Sequence, residues 1–126
     1  MAKITPSLED YLEEIYLIEE TKKIVRVTDI AAGLNISKPS VNRALKMLRE
    51  MDFIHQEKYG DVELTEEGRK KAASVMFRHR LLRRFLQEVL GVSPETAEKD
   101  ACMMEHVVSQ ETMERLVQFV EEHKVP

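Results

Sequence analysis

The sequence is poor in cysteine, glycine and proline, and it contains no long apolar run. Its single cysteine, Cys102, cannot form an internal disulfide, so folding does not require an oxidising compartment. Four glycines and four prolines in 126 residues argue against a disordered chain. No apolar run approaches the roughly 18 to 20 residues that cross a bilayer, and the N-terminus lacks the pattern of a secretory signal. We therefore expect a cytoplasmic protein too short to be a large multi-domain enzyme.

Charge is unevenly distributed along the chain, although the net charge is only −4. Residues 34–49 carry four basic side chains and no acidic one, and residues 69–84 carry seven basic side chains and no acidic one. From Glu88 to the C-terminus, nine acidic residues face three basic ones. This pattern favours an N-terminal half that meets an anion, although each run by itself is also typical of a solvated helix face.

The N-terminal half has the pattern of a helix-turn-helix. A threonine followed by proline predicts the start of a first helix over residues 5–20, and Thr28 predicts the cap of a short second helix. Gly33 and Asn35 are residue types that allow a sharp turn. A basic amphipathic helix over Ser37–Met51 follows, and this order is typical of a helix-turn-helix.

A predicted β-hairpin follows the basic helix directly, with strands over residues 53–58 and 61–65 around a glycine-containing turn. A hairpin in this place is typical of the wing of a winged helix. Because a helix fits the major groove and its first residues reach base edges, the start of the basic helix is the candidate reading surface. Three-helix units also serve as protein-protein modules. The candidate DNA-binding residues are Ser37, Lys38, Pro39, Ser40, Arg43, Lys46 and Lys58.

The C-terminal half is predicted to be entirely helical. A long helix over residues 65–90 connects it to the winged unit, and two capped helices follow, one over residues 94–108 and one from Ser109. We expect a mainly α fold, with a winged helix-turn-helix DNA-binding domain over residues 1–70 and a helical dimerisation and metal-binding domain over 71–126. The apolar faces are too many for so small a domain to bury alone, which favours a homodimer.

One cluster of residue types indicates metal chemistry. Cys102, Glu105 and His106 have the spacing i, i+3 and i+4, which predicts one shared helix face. Each has an ordinary structural explanation alone, but burial does not normally place a thiol, a carboxylate and an imidazole together without a compensating partner. Mixed sulfur, nitrogen and oxygen donors suit a first-row divalent ion. The candidate ligands are Asp10, Glu13, His79, Cys102, Glu105 and His106.

Five short segments, spread over nearly the whole chain, carry a resemblance to a known family. They are residues 8–16, 35–41, 64–68, 78–82 and 102–106. Together they resemble the iron-dependent repressors typified by the diphtheria toxin repressor, and their relatives the manganese transport regulators. The resemblance implies a winged helix-turn-helix and a helical dimerisation domain. It also implies a metal-loaded dimer on a palindromic operator near metal-uptake genes, here in the two-domain form without an SH3-like domain.

The two branches of this family differ at the metal ligands. The iron branch is similar to this sequence at Cys102, but it carries methionine at the place of Asp10, an acid at that of Arg83 and histidine at that of Glu98. The manganese branch is similar at Asp10 and Glu13, but it has glutamate where Cys102 stands. A thiolate favours softer ions and carboxylates suit manganese. The combination implies Fe²⁺ as the favoured corepressor and Mn²⁺ as the alternative, with Zn²⁺, Co²⁺ or Ni²⁺ substituting in vitro.

We therefore predict a metal-dependent transcriptional repressor with double-stranded DNA and a second copy of itself as partners, and with neither a membrane nor a small organic substrate. The ion would tie the first helix to the fourth and fifth helices and set the spacing of the recognition helices. If a second ion binds, His79 must share it with Glu13, Glu98, Glu105 or water. The alternatives are a metal-independent winged-helix regulator and a small di-metal enzyme. The enzyme leaves the winged unit unexplained and lacks a phosphate loop or nucleophile motif.

Overall fold

A computed structural model describes residues 6–57 and 60–122, and it divides into two compact units, Met1–Ala73 and Ser74–Pro126. Within the described residues, helices predominate and one small sheet is present, so the mainly α fold class is confirmed. The elements are α1 (Pro6–Thr21), α2 (Val27–Leu34), α3 (Lys38–Glu50), β1 (Ile54–Gln56), β2 (Val62–Leu64), α4 (Glu66–Arg84), a π-helical turn (Phe85–Val89), α5 (Pro94–Met104) and α6 (Gln110–Glu122).

The turn between α2 and α3 forms as predicted, but α2 begins earlier than expected. Arg26, not Thr28, is the N-cap residue of α2, because its carbonyl accepts the first helical bond, from the backbone N–H of Ile30 at 3.2 Å. Its own backbone N–H donates to the Asp29 carboxylate at 3.0 Å. Asn35 takes the left-handed conformation, with φ of 55°, that ends the helix. Ser37 then caps α3 by accepting from the backbone N–H of Ser40 at 3.3 Å. The predicted cap of α1 at Thr5 lies outside the described residues.

The predicted hairpin is present, with shorter strands than expected. Strands β1 and β2 are antiparallel, and His55 pairs with Glu63. Val25, ahead of α2, adds a third stretch of extended chain, because its carbonyl accepts from the backbone N–H of Val62 at 2.8 Å. Arg49 near the end of α3 donates to the Gln56 side chain at 2.7 Å. The hairpin is therefore fixed both to α3, the recognition helix of the helix-turn-helix, and to the chain that precedes α2.

The core of the first unit lies under the recognition helix. Apolar side chains of α1, α2, α3, the hairpin, Val25 and α4 are fully or nearly fully buried there. Those with no exposed area are Leu12, Ile15, Val25, Ile30, Val41, Leu45, Leu48 and Ala72. The buried residues of α3 recur at helical spacing, which leaves its basic side chains on the outer faces. Burial of the apolar stripe therefore orients the positively charged faces of α3 towards solvent.

The start of α4 packs tightly against the residue that precedes β1. Thr65 caps α4 by accepting from the backbone N–H of Gly68 at 2.9 Å, and its hydroxyl donates to the Asp52 carbonyl at 2.7 Å. A Cβ atom on Gly68 would lie 1.9 Å from the backbone oxygen of Phe53. Only glycine allows this approach, and the contact fixes where α4 leaves the winged unit.

In the second unit, the end of α5 differs from the prediction. Ser93 and Ser109 cap α5 and α6 as expected. However, α5 ends at Met104, and residues 105–108 form a turn, whereas the sequence predicted a helix to about residue 108. The chain tightens into a turn there, since the backbone N–H groups of Val107 and Val108 both donate to the Met104 carbonyl at 3.0 Å. Arg78 of α4 donates to the backbone carbonyls of Glu105 and Val108 in this turn. His106 lies just after the last residue of α5, and the predicted helix was about four residues too long.

The second unit has a small core and several exposed apolar side chains. Its buried cluster consists of Leu81, Leu82, Ala101, Met113 and Val120. The large apolar side chains that remain exposed are Phe77 (54%), Leu90 (59%), Met103 (70%) and Val107 (77%). No helix within residues 6–57 and 60–122 is long and apolar enough to cross a membrane.

Candidate metal centre and nucleic-acid interface

His79 is a buried histidine in the second unit, and it lies between two carboxylates. Its side chain is 10% exposed. Its Nε2 atom is 3.0 and 3.1 Å from the two carboxylate oxygens of Glu98 on α5. Its Nδ1 atom is 3.0 Å from Oε2 of Glu105, in the turn after α5. The structure therefore brings the predicted ligands His79 and Glu105 together with Glu98, which the sequence offered only as one possible partner of His79 at a second ion.

The approach at Nδ1 of His79 is close but poorly directed. The 3.0 Å separation is within ion-pair distance, yet it does not meet hydrogen-bond geometry, so Nδ1 is buried without a hydrogen bond. The short distance alone does not make this a hydrogen bond, because a hydrogen bond weakens steeply when its donor and acceptor are misaligned. A buried ring nitrogen that makes no hydrogen bond is unusual in a folded protein, and this observation fits a cluster that binds a cation.

Glu105 is the most deeply buried acidic side chain among the described residues, with 2% of it exposed. Its second oxygen, Oε1, lies 3.3 Å from Nε2 of His106, whose side chain is 5% exposed. A carboxylate this deeply buried needs positive charge nearby to offset its lost hydration. The Arg78 guanidinium lies at the backbone carbonyl of Glu105, and the two imidazoles are positive only when protonated. A divalent cation would place its charge at the carboxylate itself.

Cys102 lies on the exposed side of α5, at the edge of this cluster. Its Sγ is 4.0 Å from Oε1 of Glu98, one helical turn earlier. One ligand atom from each of His79, Glu98 and Cys102 can be chosen so that all three lie within 4.8 Å of one another. The spacing of four residues between Glu98 and Cys102 was the sequence signal that could have identified Glu98 as a member.

The donor types of this cluster fit a first-row divalent ion. A thiol, imidazoles and carboxylates lie within one small region of the second unit, and two of the side chains are nearly fully buried. Two ligands that each lie about 2.1 Å from one ion are about 3 to 3.5 Å apart, similar to the 3.0 Å between His79 and Glu98. Cys102 adds a soft donor to harder oxygens and nitrogens.

The remaining two predicted metal ligands lie in the first unit. Asp10 and Glu13 are one helical turn apart on α1, where Asp10 is exposed and Glu13 is half-buried. Tyr11 between them is buried, and this burial raises the pKa of its phenol, while the positive charge of Arg43 acts in the opposite direction. Asp10 therefore stands next to a residue that belongs to the core of the winged unit.

The candidate DNA-binding residues cluster at the start of α3, with the exception of Lys58, which lies outside the described residues. Ser37, Lys38, Pro39, Arg43 and Lys46 are exposed, and Ser40 is half-buried. A chain of hydrogen bonds joins three of them, since Ser37 Oγ donates to Ser40 Oγ at 2.9 Å and Arg43 Nη2 donates to the same hydroxyl at 3.2 Å. This network holds the Arg43 guanidinium beside the N-terminus of the helix, where anions bind most favourably.

A polar groove flanks α3 on the side of the hairpin, and sequence reasoning missed it. It is lined by Arg26, Thr28, Asn42, Gln56 and Asp61 among others. These residues come from α2 and its N-cap, α3 and the hairpin, so no local pattern connects them. Arg26 and Asn42 are exposed and offer hydrogen-bond donors next to the recognition helix.

A winged helix-turn-helix with an exposed basic recognition helix, followed by a helical unit with clustered side chains of the types that bind metals, is typical of metal-responsive transcriptional regulators. Two family models match the chain. The "Iron dependent repressor, N-terminal DNA binding domain" matches residues 3–62, and the "Iron dependent repressor, metal binding and dimerisation domain" matches residues 65–125. The chain belongs to the iron-dependent repressor family of metal-dependent transcriptional repressors, whose members are regulators and not enzymes.

Individual relatives support this assignment. The chain is 38% identical over 122 residues to an uncharacterized HTH-type transcriptional regulator of Methanocaldococcus jannaschii, covering 96% of this chain and 98% of the relative. It is 39% identical over 121 residues to the HTH-type transcriptional regulator MntR of Geobacillus kaustophilus, covering 94% and 85% respectively. It resembles the structure of the manganese regulator SloR with a TM-score of 0.81 and 32% identity, covering 94% of this chain. The match spans 55% of the SloR chain, or about half its length.

Proposed function

We propose that this protein is a metal-activated repressor in which Fe²⁺, or alternatively Mn²⁺, acts as corepressor for a homodimer on a palindromic operator of metal-uptake genes. It would act in the cytoplasm. The observation that carries the proposal is the buried imidazole of His79 between the carboxylates of Glu98 and Glu105, in a chain whose first unit exposes a basic recognition helix. A site of this kind binds a cation, and the recognition helix binds DNA.

The donor set supports ferrous iron before manganese. Cys102 would bind as a thiolate after releasing its proton to solvent, and thiolate donors favour iron, cobalt and zinc over manganese. Manganese remains the alternative because Glu98, Glu105 and the predicted ligands Asp10 and Glu13 supply oxygen donors. The similarity to a protein described as a manganese regulator also favours manganese. The ligand set we propose is therefore the predicted six residues with Glu98 added.

Exposed apolar side chains support the homodimer. Phe77, Leu90, Met103 and Val107 of the second unit are each more than half exposed. Large apolar side chains that stay in contact with water in a unit with a small core favour association with a second copy. A dimer presents two recognition helices, so a palindromic operator would mirror its twofold symmetry.

The metal would act as an effector and would take part in no reaction. When bound, the ion supplies a divalent positive charge that offsets the buried carboxylate of Glu105 and fixes the surrounding side chains. Binding favours the conformers of the dimer that hold the ion best. If those conformers also match the operator, a few kcal/mol of differential metal affinity shifts the population substantially.

The test is an anaerobic selection of binding sites from a randomised duplex pool. Chelated protein is compared with protein supplied with Fe²⁺, Mn²⁺, Co²⁺ or Zn²⁺ at buffered free concentrations and constant salt, because phosphate contacts make affinity salt-dependent. We expect a palindrome to be enriched only with metal, and with Fe²⁺ at the lowest free concentration. Equal enrichment after chelation would contradict the proposal and leave a metal-independent winged-helix regulator.

The same selection with Arg43→Ala and Arg80→Gln tests whether the recognition helix reads the operator. Arg43 lies at the start of the recognition helix, whereas Arg80 lies on α4 in the second unit and serves as the charge-matched control. We expect Arg43→Ala to lose the palindrome and Arg80→Gln to keep it. Loss of enrichment in both variants would mean that the selection reports nonspecific electrostatic attraction.

A further inference from the structure

We propose that Arg78 is the positioning residue of the metal centre, because it fixes the turn that carries Glu105 and His106. This inference rests on the proposed function, since it concerns how the chain prepares the ligands for the ion. Arg78 directly precedes the ligand His79 on α4. Its side chain is directed at the backbone of the turn after α5 and touches no predicted ligand side chain in the contacts of the described residues.

The Arg78 guanidinium makes two hydrogen bonds with this turn. The Nε–H of Arg78 donates to the backbone carbonyl of Glu105 at 2.8 Å. Nη2 of the same guanidinium donates to the backbone carbonyl of Val108. These acceptors are 27 and 30 residues away in sequence, at the two ends of the turn between α5 and α6. The planar guanidinium offers its donors in a rigid fork, so two simultaneous bonds fix both the distance and the orientation of the turn.

One acceptor is the carbonyl of Glu105 at the C-cap of α5, and the other is the carbonyl of Val108, four residues past the end of that helix. The final carbonyls of a helix have no intrahelical donor, and buried carbonyls without donors are costly. Arg78 provides donors for these two carbonyls from a different helix, at the place where the chain turns between α5 and α6. Ending the helix there places His106 in the turn, where its Nε2 lies 3.3 Å from the Glu105 carboxylate.

Consecutive residues of α4 therefore lie against the backbone and against the side chain of Glu105. Arg78 binds the carbonyl of Glu105, and His79 approaches its carboxylate at 3.0 Å. Residues that orient metal ligands through hydrogen bonds typically change metal affinity by about 10- to 100-fold when they are replaced. We expect a change of this size for Arg78, although it would not contact the ion itself.

The experiment titrates the full chain with Co²⁺ under anaerobic conditions and compares wild type, Arg78→Gln, Arg78→Lys and Arg80→Gln. Co²⁺ reports thiolate coordination by its near-ultraviolet charge-transfer band and reports coordination geometry by its visible bands. We expect Arg78→Gln to weaken Co²⁺ binding by about 10- to 100-fold and to change the visible spectrum. Arg78→Lys keeps the positive charge but cannot make the two-pronged contact, so its Co²⁺ affinity should lie between those of wild type and Arg78→Gln. Arg80→Gln removes an equal charge from the same helix and should match wild type.

Hydrogen exchange of the metal-free proteins gives a second readout. Loss of the fork should speed exchange in residues 105–109 of Arg78→Gln and leave Arg80→Gln unchanged. Wild-type affinity, spectrum and exchange in a folded Arg78→Gln would overturn the inference. If both Arg78 variants fail to fold, Arg78 is a folding residue and the inference is likewise wrong. If wild type binds no Co²⁺, the proposed function fails instead, and exchange alone decides whether Arg78 fixes the turn.

Discussion

Replacing Cys102 by alanine should remove metal stabilisation while leaving the metal-free fold unchanged. Cys102 is exposed on α5, whose buried residues are Ala97 and Ala101, so the side chain contributes little to the core. Substitutions at such surface positions usually change the free energy of unfolding by no more than about 0.5 kcal/mol. The metal-free variant should therefore unfold at the same urea concentration as the metal-free wild type.

The size of the effect with metal follows from binding linkage. At a free metal concentration of about 100 times Kd, a bound ion stabilises the folded state by about 2.7 kcal/mol. If loss of the thiolate raises Kd about 100-fold, the same metal concentration stabilises the variant by only about 0.4 kcal/mol. The free energy of unfolding of Cys102→Ala at fixed Co²⁺ or Fe²⁺ should thus lie about 2.3 kcal/mol below that of the wild type.

Urea unfolding under anaerobic conditions, with and without buffered metal, measures this difference. Lys99→Ala is the control, because Lys99 is exposed on the same helix and its ammonium group has no lone pair to offer a metal ion. With Mn²⁺ the difference should shrink, since manganese relies less on a sulfur donor. If Cys102→Ala gains the same stabilisation from Co²⁺ and Fe²⁺ as the wild type, Cys102 is not a ligand and the argument for iron over manganese fails.

Three further predictions concern the winged unit. Gly68→Ala places a methyl group 1.9 Å from the backbone oxygen of Phe53, so urea unfolding should show a loss of about 1 to 3 kcal/mol, and unchanged stability would refute the close contact. The side-chain hydrogen bond from Lys22 is the main cause that lowers the pKa of Asp29 below its ordinary value of 3.8. The wild type should therefore exceed Asp29→Asn in stability above about pH 4 and lose that advantage as the pH falls further; an advantage independent of pH would exclude this ionisation as its source. Arg43→Ala should weaken operator binding by about 1 to 3 kcal/mol in a metal-loaded titration at fixed salt, and equal loss on unrelated DNA would indicate a phosphate contact instead of base reading.

Much of the fold could be predicted because the signals are local. Ser37, Ser93 and Ser109 each accept a hydrogen bond from a backbone N–H three residues later, so the sequence around each cap is sufficient to place a helix start. The hairpin after α3 follows from short alternating runs around a glycine. The basic stretch of α3 predicts its exposed faces for the same reason, since the pattern repeats within a few turns.

Local sequence is enough to predict the order of capped helices, the hairpin, and the residue types available for binding metal and DNA. Long-range packing brings Glu98 to His79, joins Val25 to the hairpin, and places the guanidinium of Arg78 on the turn after α5. Local pattern suffices where a side chain acts on its own turn of backbone. It does not suffice for pairs such as Arg78 and Glu105, because packing alone brings together groups 27 residues apart.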